Sequence, residues 1–273
     1  MIQKRILFVS LFMIFTTLIA QETNLEESEK KISSLAKVIL NGESDSIKND
    51  ANDQLNKYLL EIIQEKESYR YPFNNTEHIS VLQPKNKAFK LFTWFVPHLN
   101  GSFEYYGIIQ ICNKRGKKCH IYHLKKTTNL THQDLYNQLN YDQWYGCLYY
   151  DIIPIKVNKE NYYTLLGWDG SNTTTTKKII DIIKVDKNKK PIFGANIFNN
   201  NQHRILIEYS SQHPVSLQYD DKLEYIVFDH LEPIDGVSKD NFSLYATNLS
   251  YDIFRKTEFG WELEKNIYLN NAK

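Results

Sequence analysis

The sequence predicts an α+β fold that is predominantly β: an N-terminal helical hairpin followed by antiparallel β-meander sheets. Three observations carry this. Apolar residues between Leu25 and Ile63 recur at helical spacing, whereas from Tyr71 onward the chain breaks into short β-branched and aromatic runs. Polar turns separate those runs. The links between consecutive runs are short, and short links join antiparallel neighbours. A sandwich, a barrel and a propeller-like arrangement all fit that pattern.

The elements follow in order. Residues 1–20 read as a secretory signal, with Lys4 and Arg5 as the basic head and Ile6 to Ile19 as a largely apolar stretch ending at Ala20. As a helix, that stretch would be about 21 Å long, too short for a hydrocarbon core of about 30 Å. No Cys follows it, so the expected product is exported, periplasmic or extracellular, without a lipid anchor. No integral membrane segment is expected after cleavage.

Residues 21–70 form a helical arm. Thr23-Asn24-Leu25-Glu26 has the form of a capping box, Leu25, Ile32, Leu35 and Ile39 form one stripe, and Asn41-Gly42 ends the helix. Ser44 caps a second helix with Ile47, Ala51, Leu55, Tyr58, Leu59, Ile62 and Ile63 on one face.

Residues 71–273 form the β-rich domain. Strands are expected over 88–96, 103–111, 119–124, 144–155, 162–168, 204–210, 215–219, 223–228, 251–254 and 261–269, with 178–185 also read as strand and 131–139 as a short helix. Several strands are apolar on both faces, as in Tyr162-Tyr163-Thr164-Leu165-Leu166, and such strands must be covered on both sides. Cys112 and Cys119 flank the polar stretch 113–118. If that stretch is a hairpin loop, the two face each other and can bridge; two free thiols are the alternative. Cys147, among aromatic residues, reads as a buried small hydrophobe.

Composition excludes several functions. With 33 Lys+Arg against 32 Asp+Glu, the chain lacks the cationic excess of a dedicated nucleic-acid binder. Three cysteines cannot make a disulfide scaffold. The sequence contains no HExxH, CxxC, GxSxG or glycine-rich phosphate loop. No cofactor or metal is therefore expected, and His120 and His123 would point to opposite faces of a strand.

Two constellations carry chemistry. Trp168-Asp169 stands at the end of a strand before a polar loop, equipment for gripping a sugar by stacking and hydrogen bonding. The plainer reading is a core Trp followed by a turn. Asp229-His230-Leu231-Glu232 follows another strand, where Asp229 and Glu232 would flank a substrate and His230 carry a proton. The plainer reading there is that Asp229 or His230 satisfies backbone groups at the strand end. Nineteen Tyr residues either line a groove or fill half-exposed sheet positions.

The strand motifs Tyr105-Tyr106-Gly107-Ile108-Ile109-Gln110, Trp144 to Tyr150, Tyr162 to Gly170, Pro191 to Gly194 and Ile226 to Pro233 together resemble a family of exported proteins from Bacteroidota with no assigned activity. The resemblance implies a bacterial exported protein and transfers no site residue. The leading expectation is a non-catalytic protein that binds an envelope ligand or protein partner, or supports the envelope. The alternative is an exported polysaccharide hydrolase using Asp169, Asp229 or Glu232.

Overall fold

The computed structural model describes residues 25–113, 116, 118–126, 132–234, 236 and 241–268. Residues 1–20 and the capping box at Thr23 lie outside the described residues. The chain divides into two compact units, residues 1–79 with 113–118, and residues 80–112 with 119–273.

The first unit is the expected helical hairpin. Helix α1 spans residues 25–41 and α2 spans Asp45–Gln64. The Ser44 hydroxyl accepts the Ile47 N–H at 3.3 Å, which caps α2. Tyr58, late in α2, donates to the hydroxyl of Ser28, early in α1, so the helices run antiparallel. Leu25, Ile32, Ala36 and Ile39 are buried in α1, and Ala51, Leu55, Leu59, Ile62 and Ile63 in α2. The stripe differs from expectation at two places: Ala36 takes the position assigned to Leu35, and Ile47 is exposed while Lys48 turns inward.

Among the described residues the second unit contains three antiparallel sheets, none closed into a barrel. The first is a meander of β1 (Ser80–Leu82), β2 (Lys90–Pro97), β3 (Phe103–Cys112) and β4 (Cys119–Leu124). The central sheet has the order β5-β9-β8-β7-β6, from β5 (Leu139–Asn140), β6 (Leu148–Val157), β7 (Glu160–Asp169), β8 (Thr175–Val185) and β9 (Pro191–Phe193). Strand β10 (Ile205–Ser210) pairs with the first half of β8. The third sheet is a meander of β11 (Leu217–Asp220), β12 (Tyr225–Pro233), β13 (Tyr245–Thr257) and β14 (Gly260–Ile267). The segment expected as a helix near residue 135 is a 3-10 turn, His132–Tyr136.

Strand alternation explains the doubly apolar runs. Leu165, Ile179 and Ile183 join Leu91, Tyr105 and Ile109 in one core, shared with the first sheet. Leu166, Ile180 and Ile182 join Ile226, Phe228, Phe254 and Trp261 in a second core, shared with the third sheet. Each fully buried Leu, Ile or Phe contributes about 1.5–3 kcal/mol. Buried polar groups bridge the layers: the Trp261 indole N–H donates to Thr164 Oγ1 at 2.8 Å, and the Tyr149 N–H to Thr93 Oγ1 at 3.2 Å.

Cys112 and Cys119 are register partners across β3 and β4 and form a disulfide, with their Cα atoms 4.0 Å apart. Cys147 is a buried free thiol, and burial pushes its pKa up.

Lys90 and Gln110 are register partners, and both are buried. Burial, helped by the Lys87 charge, lowers the Lys90 ammonium from the ordinary 10.5 to about 7. Between those two values the unfolded chain binds a proton that the folded chain does not, so the contribution of Lys90 to stability improves as pH rises. Urea unfolding from pH 6.5 to 9.5 should therefore show a rising stability. Lys90→Met should flatten that slope and raise stability at pH 6.5, by on the order of a few kcal/mol. A wild-type slope retained in Lys90→Met would show that other groups produce it.

Candidate functional site

A cavity of about 550 Å³ lies in the second unit, around the end of β7 and the start of β8. Its charged and hydrogen-bonding lining includes Lys126, Tyr145, Asp169, Lys177, Arg204 and Glu208. These come from separate stretches of sequence that the central sheet gathers. Asp169 and Lys177 are direct partners across β7 and β8, and Lys177 and Glu208 are partners across β8 and β10.

Asp169 is held before any ligand arrives. The Tyr145 hydroxyl donates to one carboxylate oxygen at 3.1 Å, and the Ser171 N–H to the other at 2.9 Å. A carboxylate has about four acceptor sites, so these two bonds leave capacity toward the cavity. Burial, reinforced by the Asp169 charge, pushes the Tyr145 phenol well up, which keeps it a neutral donor. The Tyr105 hydroxyl accepts the Gly170 N–H at 2.7 Å and fixes the turn behind Asp169. Lys126 lies over the Tyr105 ring, 4.9 Å from its centroid. Lys177 pairs with Glu208 at 3.4 Å, and Glu208 also accepts the Thr175 hydroxyl at 2.7 Å.

Trp168 takes no part in this lining. Adjacent residues of a strand project to opposite sides, and the Trp168 ring packs against Phe95 and Phe103, with both centroids 5.4 Å away. The sugar grip expected from Trp168 beside Asp169 is therefore not assembled; the aromatic ring and the carboxylate serve different surroundings.

Arg204 is the structural anchor of the cavity. It is 1% exposed, and its Nε donates to Asp181 at 3.3 Å. Asp181 is fully buried and also accepts the Tyr149 hydroxyl at 2.8 Å and the Ile182 N–H at 2.9 Å. Tyr149 in turn accepts the Trp144 indole N–H at 3.2 Å. Arg204 Nη1 donates to the carbonyls of Asp134 and Asn137, which ties the 3-10 turn to the sheet. Gly194, at φ +83°, leaves room for the guanidinium: a Cβ there would come within 2.6 Å of Nη2.

A second groove, of about 260 Å³, lies beside β10 and the third sheet. Asp229 and His230 both line it. Asp229 accepts the Ser216 N–H at 2.6 Å, the backbone role that the plainer reading gave it. His230 Nδ1 meets Asp252 at 2.7 Å, and Asp252 also accepts the Asn266 N–H at 2.9 Å. The carboxylate partner of His230 is thus Asp252 on β13, not its sequence neighbour Asp229. The register slips on both sides of β13 at this level, between Asp229 and Leu231 and between Tyr251 and Ile253, and such bulges re-aim side chains. Glu232 is exposed and lines neither cavity. Asp169, Asp229 and Glu232 therefore do not meet in one cleft, and the carboxylate pair of a glycosidase is not formed from them. Among the described residues, no three His, Cys, Asp or Glu side chains gather as a metal-binding group.

Of the cavity residues, sequence reasoning had singled out Asp169 alone. Arg204 and Asp181 carried a usable signal, since each is a lone charge against an apolar run, Ile205-Leu206-Ile207 and Ile179-Ile180-Asp181-Ile182-Ile183. A charge in such a place must find a buried partner. Lys126, Tyr145 and Lys177 carried no comparable signal. The chain matches no protein-family model, and no curated protein matches it significantly.

Removing one partner of the Arg204–Asp181 pair leaves a buried charge behind. Arg204→Met should lower unfolding stability by about 3–5 kcal/mol, and Arg204→Met with Asp181→Leu should recover part of the loss. Urea unfolding measures both. A single variant as stable as wild type would show that the pair is not the anchor.

Proposed function

We propose that this is an exported, non-catalytic binding protein, and that the cavity around Asp169 receives a polar ligand bearing hydrogen-bond donors. The observation that carries the reading is the buried Asp169 carboxylate, fixed by Tyr145 and Ser171 in a cavity of about 550 Å³ with acceptor capacity remaining. Cavities of that size hold small polar molecules, and pre-positioned groups lower the ordering cost of binding.

The lining offers both acceptors and donors. Lys177 is engaged with Glu208, and Arg204 meets Asp181 through Nε while its buried Nη2 has no hydrogen-bond partner among the described residues, so Asp169 faces an incoming ligand beside Lys126 and Arg204. Hydroxyls, which donate and accept, suit such a lining. Export is supported by the signal-like residues 1–20, by the family resemblance and by the Cys112–Cys119 disulfide, which is compatible with an oxidising compartment. No helix among the described residues is long and apolar enough to cross a membrane.

The test is calorimetric titration of the mature chain with neutral saccharides of one to four units and with short basic peptides, followed by chromatography for cleavage products. Saturable binding without product is expected, weakened at least tenfold in Asp169→Asn. Steady turnover, or an unchanged affinity in Asp169→Asn, would overturn the reading.

A further inference from the structure

The cavity around Asp169 is lined by two cationic side chains that the protein leaves with unused donors. Arg204 gives Nε to Asp181 and Nη1 to the carbonyls of Asp134 and Asn137. Its Nη2 is buried and has no hydrogen-bond partner among the described residues. A buried donor without a partner is costly, and an acceptor that reaches it removes that cost. Lys126 is exposed, lies over the Tyr105 ring and enters no ion pair among the described residues.

Each of these cations is seated against a glycine of positive φ. Gly194 makes room for Arg204, as described above. Gly146, at φ +84°, does the same for Lys126, because a Cβ there would come within 2.6 Å of the Lys126 Cγ. Lys126 also forms a parallel backbone bridge with Trp144. The stretch Trp144 to Gly146 thus seats Lys126 and presents Tyr145 to Asp169 within three residues.

The other charges of the lining are already engaged. Lys177 and Glu208 pair with each other, and Asp134 has a partner within the protein. His132 is exposed and its ring meets Tyr136. What remains for a ligand is one acceptor, Asp169, and two cationic donors, Lys126 and Arg204. Neither cation pairs with Asp169 among the described residues, so the acceptor and donor ends of the site are separate. A carboxylate has two oxygens to meet two cationic donors, and such charge-assisted bonds are about twice as strong as neutral ones. Asp169 would repel that carboxylate but accept from hydroxyls. A ligand that satisfies both ends carries an acid group on one side of a hydroxylated frame.

We propose that the cavity binds a sugar acid of the uronate type. Its carboxylate accepts from Lys126 Nζ and Arg204 Nη2, and its ring hydroxyls donate to Asp169. The inference rests on the cavity being a binding site and names the class of ligand. Free sugar acids and the uronate units of a polysaccharide share this chemistry, and the length of the probe separates them.

The test is calorimetric titration of the mature chain with galacturonate and its dimer, with the methyl esters of both, and with cyclohexanecarboxylate. The esters keep the hydroxyls and lose the charge, whereas cyclohexanecarboxylate keeps the charge and has no hydroxyls. The acids should bind at least about tenfold more tightly than their esters, and added salt should erode that preference. Cyclohexanecarboxylate should bind at least tenfold more weakly than galacturonate. Lys126→Met, at an exposed position, should cut the preference for acid over ester at least fivefold. Nitrogen NMR signals of the Arg204 guanidinium should shift with the acid and stay in place with the ester, a readout that needs no substitution of this structural residue.

Equal affinity for the two acid lengths would assign a free sugar acid, and a gain with length would assign a polysaccharide unit; either supports the proposal. Equal binding of acid and ester would overturn it and leave the binding function standing. Cyclohexanecarboxylate bound as tightly as galacturonate would mean unselective capture of anions and overturn it. An acid preference intact in Lys126→Met, or one that leaves the Arg204 signals unmoved, would place the acid elsewhere and overturn it too. Absence of binding by every probe, neutral saccharides included, would defeat the proposal and the binding function together.

Discussion

The central sheet is buried on both faces, and that constraint shapes the rest of the second unit. A polar group in the fully buried middle of β7 or β8, such as Thr164 or Asp181, cannot turn to water, so it must be satisfied inside the protein. Thr164 meets the Trp261 indole, and Asp181 gathers Tyr149, Arg204 and the Ile182 N–H. Arg204 Nη1 then donates to the carbonyls of Asp134 and Asn137, which ties the 3-10 turn to the sheet beside the cavity, while the buried Nη2 has no hydrogen-bond partner among the described residues. The shape of the candidate site is thus a by-product of keeping one carboxylate dry.

The tyrosine surplus follows the same logic. Tyr145, Tyr149 and Tyr105 bury their rings in the first core and use their hydroxyls to hold Asp169, Asp181 and the Gly170 N–H. A phenylalanine would pack as well and tether nothing. Tyr150 and Tyr163 extend the pattern, the first donating to the Leu217 carbonyl and the second accepting from Asn86. These rings mainly build and fix the sheets, and Tyr145 is the one that also faces the cavity.

Local order was largely legible in the sequence. The Ser44 cap, strand Cys119–Leu124 and the doubly apolar run at Tyr162 to Leu166 all stand where periodicity placed them. The alternating burial of Leu165 and Leu166 could be anticipated because side-chain direction in a strand has a period of two. The missed elements are short or polar: β1, β5 and β9 have three residues or fewer, and the first half of β13, rich in Asn, Thr and Ser, reads as loop. The site was much less legible. Asp169 stood out beside Trp168, yet its working neighbours are Tyr145 and Lys177, brought to it by sheet register rather than by sequence proximity. The His230 partner was missed for the same reason, since Asp252 reaches it only across a bulged strand pair.

The division into units has a practical consequence for anyone cutting the molecule apart. Residues 113–118 belong to the first unit, although the strands that enter and leave them belong to the second. The chain therefore passes between the units three times, and the disulfide closes the base of this excursion. A single proteolytic nick between residues 79 and 80 would leave the helical hairpin without its peptide bond to the sheets, while its short loop stayed covalently part of them. Deleting residues 21–79 would strip that loop of its own unit. The boundaries of the units and the order of the chain therefore do not coincide, because one unit is assembled from two separate stretches of sequence.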